Sequence, residues 1–373
     1  MIKVAIIGGG LIAPRHAQSV ISNPSTELVA LVEPSSIGPE TAERFHSRHY
    51  SSVSALLGDK QNKPDAAIVC TPNHTHVAIA EELLAAGVHV LVEKPISSDI
   101  DSGRTLVQFA QRLENEGGRV KLLVGHHRRF NPYLVKTKQI VDSGSLGRII
   151  AVNGLWTIFK PPEYFAPPTE WRRSKETGGV ILINLVHDID LLHYLFGPIV
   201  RVHAERVSKQ RPPPHDADEG AALTLKFASG VVGTFLVCDA TPSPYNFETG
   251  TGENIAIPKV PGCDYSAASA SFYHIFGSDA SLSVPDMTRW SYDGRPSKSW
   301  TQPLTVEQSD VDDSMTPYDL QLAHFVDVIR GKVEPICSGA AGLQALIVCD
   351  AIRKAMGSGE TVNIDVDGDM TYT

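Results

Sequence analysis

Positive charge, paired cysteines and long apolar runs are what this 373-residue chain is short of. Asp and Glu number 42 against 33 Lys and Arg, for a formal net charge of −9. Neither a nucleic acid nor an anionic membrane surface is drawn to such a chain, so the expected partner is a small molecule. The five cysteines, Cys70, Cys238, Cys263, Cys337 and Cys349, are odd in number and share no C-x-x-C spacing. A disulfide framework and a structural zinc site are therefore not indicated, and no metal is expected. No apolar run approaches the length of a membrane span, and no internal repeat is present. The first apolar run begins at Ile2, which leaves no room for a signal peptide, so the expected compartment is the cytoplasm. What is there is a globular composition, 42% hydrophobic and 20% charged, in a chain long enough for two domains.

The most informative stretch is residues 2–13, IKVAIIGGGLIA, in which an apolar run opens directly into glycines. Ile2, Val4, Ile6 and Ile7 read as a buried parallel strand, and Gly8, Gly10 and Ala13 fill the three small positions of G-x-G-x-x-G/A. Gly8 allows a sharp turn, Gly10 lets the backbone approach a pyrophosphate, and Ala13 lets helix and strand pack closely. The phosphates would meet the unpaired N–H groups of the following helix, which makes Gly8, Gly10, Leu11 and Ile12 cofactor-binding candidates. A second apolar strand, Leu28 to Val32, ends at Glu33, where an acidic side chain accepts from an adenosine ribose and repels a 2′-phosphate. NAD is therefore expected rather than NADP, against the alternative of an ordinary strand-end glutamate.

Strand and helix alternate through residue 125: helices at Pro39 to His46, Ser54 to Leu57, Glu81 to Ala86 and Arg104 to Leu113, strands at Asp65 to Cys70, Val88 to Val92 and Val120 to Val124. Such alternation predicts a doubly wound parallel sheet, an α/β Rossmann domain over 1–125. Ligands collect at the carboxyl ends of its strands, so the loops of Gly8, Glu33, Thr71, Glu93 and Gly125 should converge. Beyond it, 126–373 reads as an α+β domain with a large, mostly antiparallel open sheet. Arg148 to Ile158 and Val200 to Val207 are its first strands, and Gly178 to Phe196 its glycine-led helix. Hairpins are predicted from Ala222 to Val237 and from Ser271 to Val284, and amphipathic helices over Tyr318 to Arg330 and Gly342 to Met356. Segment 241–265, rich in Pro, Gly, Thr and Asn, is too long for a passive connection and reads as a lid or a subunit contact.

Four motifs in order, G-x-G-x-x-A at 8–13, T-P-N-H-T-H at 71–76, E-K-P at 93–95 and H-x-x-D-L-L at 187–192, resemble the Gfo/Idh/MocA oxidoreductases. The likeness covers most of the chain and includes F-V-D-V-I-R-G at 325–331. It implies an NAD-dependent dehydrogenase acting on a secondary alcohol of a sugar, inositol or related polyol, assembled as a homodimer or homotetramer. Lys94 matches the family's lysine beside nicotinamide and substrate, and His187 its catalytic histidine. Thr71, Asn73 and His76 match the loop along the nicotinamide ribose, with Glu93 and Lys94 completing the cofactor side. Arg128, next to Arg129, matches a position that contacts substrate or cofactor. Two other kinds of relative remain open: a dinucleotide-binding sensor without turnover, and an enzyme that recycles a tightly bound NAD.

The chain also departs from the family pattern. Ile183 stands four residues before His187, where many dehydrogenase members carry aspartate, and Val180 stands where a third glycine is common. Asn184 and Asp190, three residues before and after His187, share its helix face, the first to orient the imidazole and the second to bind a substrate hydroxyl. Lys160, Tyr164 and Trp171 precede this helix. A cation among aromatics suits a polyol, whose C–H faces stack on rings while its hydroxyls accept hydrogen bonds; an ordinary proline-broken loop is the alternative.

Overall fold

A strand with apolar side chains on both faces has to be covered on both, and Val4, Ala5, Ile6 and Ile7 are all buried in β1 (Ile2–Ile7). Around it the computed structural model, which describes residues 1–254, 256–259, 270–365 and 367–373, builds a parallel sheet. Chain order is α1 (Ala13–Ser22), β2 (Thr26–Val32), α2 (Gly38–Arg44), β3 (Arg48–Tyr50), α3 (Val53–Gly58), β4 (Ala66–Val69), α4 (His76–Ala85), β5 (His89–Glu93), α5 (Ile100–Asn115) and β6 (Leu122–Gly125). The sheet order is β3-β2-β1-β4-β5-β6 with every pair parallel, as the alternation predicts. Only β3, three residues of Arg-His-Tyr at the sheet edge, has no counterpart in the predicted elements. Strand order reverses between β1 and β4, which opens the crevice where a dinucleotide is held in such sheets.

This first unit is Met1–Phe130 with Met315–Leu346. Residues 315–346 join it because the helix Pro317–Ile329 buries Leu322, Phe325 and Val328 in the same cluster as Ala13, Ala17 and Val20 of α1. The domain division read from the sequence, 1–125 and 126–373, has no means of anticipating that return of the chain.

The second unit is Asn131–Ser314 with Ile347–Thr373. It begins with α6 (Pro132–Asp142) and β7 (Ile149–Thr157), then α7 (Val186–Phe196), β8 (Ile199–Arg206), β9 (Gly220–Phe227), β10 (Val232–Cys238), α8 (Phe247–Thr251), β11 (Tyr273–Gly277), β12 (Ala280–Val284), β13 (Thr288–Ser291) and β14 (Thr305–Gln308). The chain closes with α9 (Pro317–Ile329), α10 (Gly339–Ser358), β15 (Val362–Ile364) and β16 (Met370–Tyr372). Ten strands form one open sheet, β14-β13-β12-β11-β7-β10-β9-β8-β15-β16, in which β7 and β10 pair in parallel and the other described pairs are antiparallel. Period-two burial along β9 and β10 puts Leu223, Leu225, Phe227, Phe235 and Val237 on one face. On that face α7 is anchored by Phe196 edge-on to Phe227 and by Tyr273, whose hydroxyl donates to Asp188 Oδ1 at 2.5 Å. Cys263, and residues 255 and 260–265 of the expected lid or subunit contact, lie outside the described residues.

The glycine turn after β1 is shaped by two different constraints. Gly8 has φ +98°, and a Cβ there would lie 2.9 Å from the Cys70 carbonyl oxygen, so strand β4's end excludes any side chain. At Gly10 a Cβ would meet nothing within 4 Å. No protein contact demands that glycine, whereas a ligand approaching the backbone would. The expected outcome is that Gly8→Ala costs about 1–3 kcal/mol of stability and lowers the melting temperature by several degrees. Gly10→Ala leaves melting within about 1 °C of the parent yet weakens NAD binding on the order of tenfold by calorimetric titration. Equal losses of stability in both variants would refute the distinction.

Candidate active site

Helix α1 starts at Ala13 with no side-chain cap on its first N–H groups and Pro14 in its first turn. The first-turn N–H groups turn back onto the Gly10 and Ile12 carbonyls, so what this helix end offers an anion is the backbone of the glycine turn itself, from which Leu11, 85% exposed, projects. Glu33, at the end of β2, closes the turn from the other side. Its Oε2 accepts from Gly9 N at 2.7 Å and its Oε1 from Ser35 N at 2.9 Å. Burial pushes the Glu33 carboxyl up, but the bonds from Ser35 and Gly9 and the proximity of His49 outweigh it and hold the group below its usual range. These residues fit a dinucleotide: a glycine turn open to the backbone at the start of a helix, and one strand away a carboxylate held below its usual pKa range.

Thr71 to His76 follow β4. Asn73 and His74 are exposed, whereas His76 is fully buried, with Nδ1 2.9 Å from Pro95 O and Nε2 2.8 Å from Thr71 O. The ring therefore ties the loop after β4 to the one after β5; its nitrogens are engaged by backbone, and burial pulls its pKa down. Lys94, half-buried, follows Glu93 at the end of β5, where Glu93 Oε2 accepts from Lys94 N at 3.1 Å. Arg128 and Arg129 are both buried in the short turn His127–Phe130 after β6, and Arg129 donates to the Ile336 carbonyl.

In the second unit, Gly178 and Gly179 are both forced. A Cβ on Gly178 would lie 2.1 Å from Arg172 O, and one on Gly179, at φ +92°, would lie 2.3 Å from Asp218 Oδ2. Asp218 in turn accepts from Ile181 N at 2.9 Å, with burial pushing its carboxyl up. Val180 has φ −69°, so a third glycine is not needed there. The expected single helix from 178 to 196 begins as a π-turn over Ile181–Leu185, and only Val186–Phe196 is α-helical. Such turns carry an extra residue per cycle and recur at functional sites.

His187 and Asp190 are buried on α7, three residues apart. Asn184, read from sequence as an orienting partner of His187, has its Oδ1 engaged by Lys160 Nζ at 2.6 Å. Lys160 also lies 3.3 Å from Asp239 Oδ2 and packs over the Tyr164 ring at 4.5 Å. It is buried, not a solvated loop residue. Sequence reasoning missed the rest of this cluster. Arg211 donates to Asp239 Oδ1 at 2.6 Å, Glu219 accepts from the backbone N–H groups of Gln210 and Arg211, and Arg172 lies 4.0 Å over Tyr164. Asp239 is 79 residues from Lys160 but follows the strand that pairs with β7, and Lys160 N donates to Asp239 O at 2.9 Å. Trp171, half exposed, stands apart from the Lys160 contacts.

Among the described residues no helix is long and apolar enough to cross a membrane, and no group of three or more His, Cys, Asp or Glu is placed to hold a metal ion. Known proteins align over nearly the whole chain. An inositol 2-dehydrogenase of Rhizobium meliloti (strain 1021) is 23% identical over 363 residues, 97% of this chain and 99% of the relative. A 1,5-anhydro-D-fructose reductase of Ensifer adhaerens is 25% identical over 98% of this chain and 99% of its own length. The fold is that of the WlbA dehydrogenase from Bordetella pertussis, solved with NADH and UDP-GlcNAcA, at a TM-score of 0.73, 22% identity, and 98% and 99% coverage. Residues 2–118 match the description "Oxidoreductase family, NAD-binding Rossmann fold" and residues 138–364 match "Oxidoreductase family, C-terminal alpha/beta domain". With both of its domains present in order, the chain belongs to the Gfo/Idh/MocA family of NAD-binding oxidoreductases.

Proposed function

We propose that this oxidoreductase is an NAD-dependent dehydrogenase that oxidises a secondary alcohol of a sugar, inositol or related polyol. The observation that carries the substrate class is the Lys160–Asn184 pair set on Tyr164, immediately ahead of the helix of His187 and Asp190. An ammonium, an amide, a carboxylate and aromatic rings suit a molecule whose hydroxyls donate and accept while its C–H faces stack. The inositol 2-dehydrogenase and 1,5-anhydro-D-fructose reductase relatives, by their names, point to the same class.

Bound NAD supplies the hydride acceptor. The chain's own residues do the rest. Gly8, Gly10, Leu11 and Ile12 carry the pyrophosphate at the start of α1, and Glu33 takes the adenosine ribose. Thr71 and Asn73 serve the nicotinamide ribose with Glu93 and Lys94, and His76 braces both loops from below. Lys94 and His187 share the transfer of the hydroxyl proton, Asp190 accepts from a substrate hydroxyl, and Arg128 and Tyr164 orient the substrate. Asp239 anchors Lys160 so that its ammonium holds one direction. We further propose a homodimer or homotetramer of cytoplasmic location. The outer face of the large sheet supports the assembly, with Leu236 exposed on it and Val232 and Phe276 exposed beside a 720 Å³ cavity partly lined by Asn153, Thr224 and Thr234.

Four measurements bear on this reading. Because an ionised Glu33 repels a 2′-phosphate, NAD is expected to bind at least about tenfold more tightly than NADP in calorimetric titration; equal affinity would remove the assignment. A panel of polyols, aldoses and inositols should contain at least one compound that produces NADH absorbance. With it, Lys94→Ala is expected to lower kcat on the order of 10² or more while NAD binding persists. Unchanged turnover would end the role of Lys94 as a proton-transfer group. Val232→Glu is expected to reduce the assembly's mass in light scattering, and an unchanged mass would exclude this face as the subunit contact.

A further inference from the structure

Unit 1 buries a set of polar rings around Glu93 for which the reading above has no use. His16, in the second turn of α1 and 2% exposed, brings Nε2 to 2.7 Å from Glu93 Oε1. Tyr318 of α9 stands edge-on to His16 with centroids 5.1 Å apart and stacks on His127 at 4.5 Å, and Arg15 lies 5.7 Å from the Tyr318 ring. The other carboxylate oxygen holds the Lys94 N–H. From β6, a Cβ on Gly125 would come within 3.0 Å of Glu93 Oε1, so that strand leaves the carboxylate room only by carrying glycine. Glu93 is itself 7% exposed.

We propose that His16 and Glu93 form a positioning pair for Lys94, in which His16 fixes the buried carboxylate and the carboxylate fixes the Lys94 backbone and sets the field its ammonium works in. The inference rests on the assignment of Lys94 as a proton-transfer group. A carboxylate in such surroundings is costly unless paired, and its field is far less screened than at the surface. Burial does push the Glu93 carboxyl up, yet His16, by hydrogen bond and charge, with His127 and Lys94 beside it, brings it to about 2. His16 thus draws the buried carboxyl toward its anionic form. Cys70 at the end of β4 and His76 on α4 also feel that charge, the thiol being raised further by it and the imidazole drawn up against its burial. Neither is hydrogen-bonded to Glu93 in the way His16 is; His16 engages Oε1 and the Lys94 N–H engages Oε2.

Glu93→Gln keeps the side chain's shape and removes its charge, and ε-carbon-labelled lysine lets Lys94 be followed by NMR, its signal identified by loss in Lys94→Arg. In Glu93→Gln the Lys94 signal should titrate at least about half a pH unit lower than in the parent, and the acid limb of kcat/KM should move the same way. His16→Ala should lower kcat on the order of tenfold with NAD affinity held within about threefold, and His16→Gln, whose amide still donates to Glu93, should recover most of that loss. An unmoved Lys94 titration overturns the pair, as does a kcat unchanged in His16→Ala. A shifted Lys94 titration together with full turnover in Lys94→Ala would support the pair and overturn the catalytic role of Lys94, so the two failures read differently.

Discussion

Carboxylates taken out of water have to be answered by protons or positive charge, and that constraint shapes both halves of this protein. Glu93 is answered by His16 and by the Lys94 N–H; Asp239 by Lys160 and Arg211; Asp218 by the Ile181 N–H; Asp188 by the Tyr273 hydroxyl. Apart from the Lys94 N–H, each answer comes from a segment distant in sequence, so each carboxylate adds a tie between pieces of chain far apart in order. In the first unit Lys94 follows one of these carboxylates, and in the second unit Lys160 is held by another. Lost partners would leave buried charge behind, which is why such networks hold a single arrangement more firmly than their net contribution to stability implies.

Glycines do the complementary work of letting chain approach chain. Gly8 exists because the Cys70 carbonyl is there, Gly179 because Asp218 is there, and Gly125 because Glu93 is there. Gly10 is different in kind, since the protein places nothing against it. That contrast separates glycines that the fold itself requires from one that no protein contact requires. It also accounts for Val180, a departure from the family pattern that leaves the backbone conformation ordinary.

Much of the first unit was legible in the residues. Strands buried on both faces read as continuous apolar runs, and β1, β2, β4, β5 and β6 all appear near their predicted positions. β3 was not legible, because Arg48–Tyr50 at a sheet edge needs no apolar pattern. Nor were β13 to β16, which are short and half exposed. The hairpins of β9 with β10 and of β11 with β12 were visible through their alternation and turn residues. In the site, motif and order singled out Glu33, Glu93, Lys94, Asn184 and His187. His16, Asp239 and Arg211 carried no motif of their own.

Local pattern therefore determined which segments are strands and helices, where the glycine turn lies and which family the chain resembles, since periodicity, glycine and motif spacing act over a few residues. Tertiary structure decided the rest. The parallel pairing of β7 with β10 is what carries Asp239 to Lys160 across 79 positions, and so what gives Asn184 a lysine as its partner. The return of α9 to the first unit is what sets Tyr318 against His16 and encloses the Glu93 pair. Pairings over such distances depend on which apolar faces find each other during folding, and a sequence read a few residues at a time does not contain that choice.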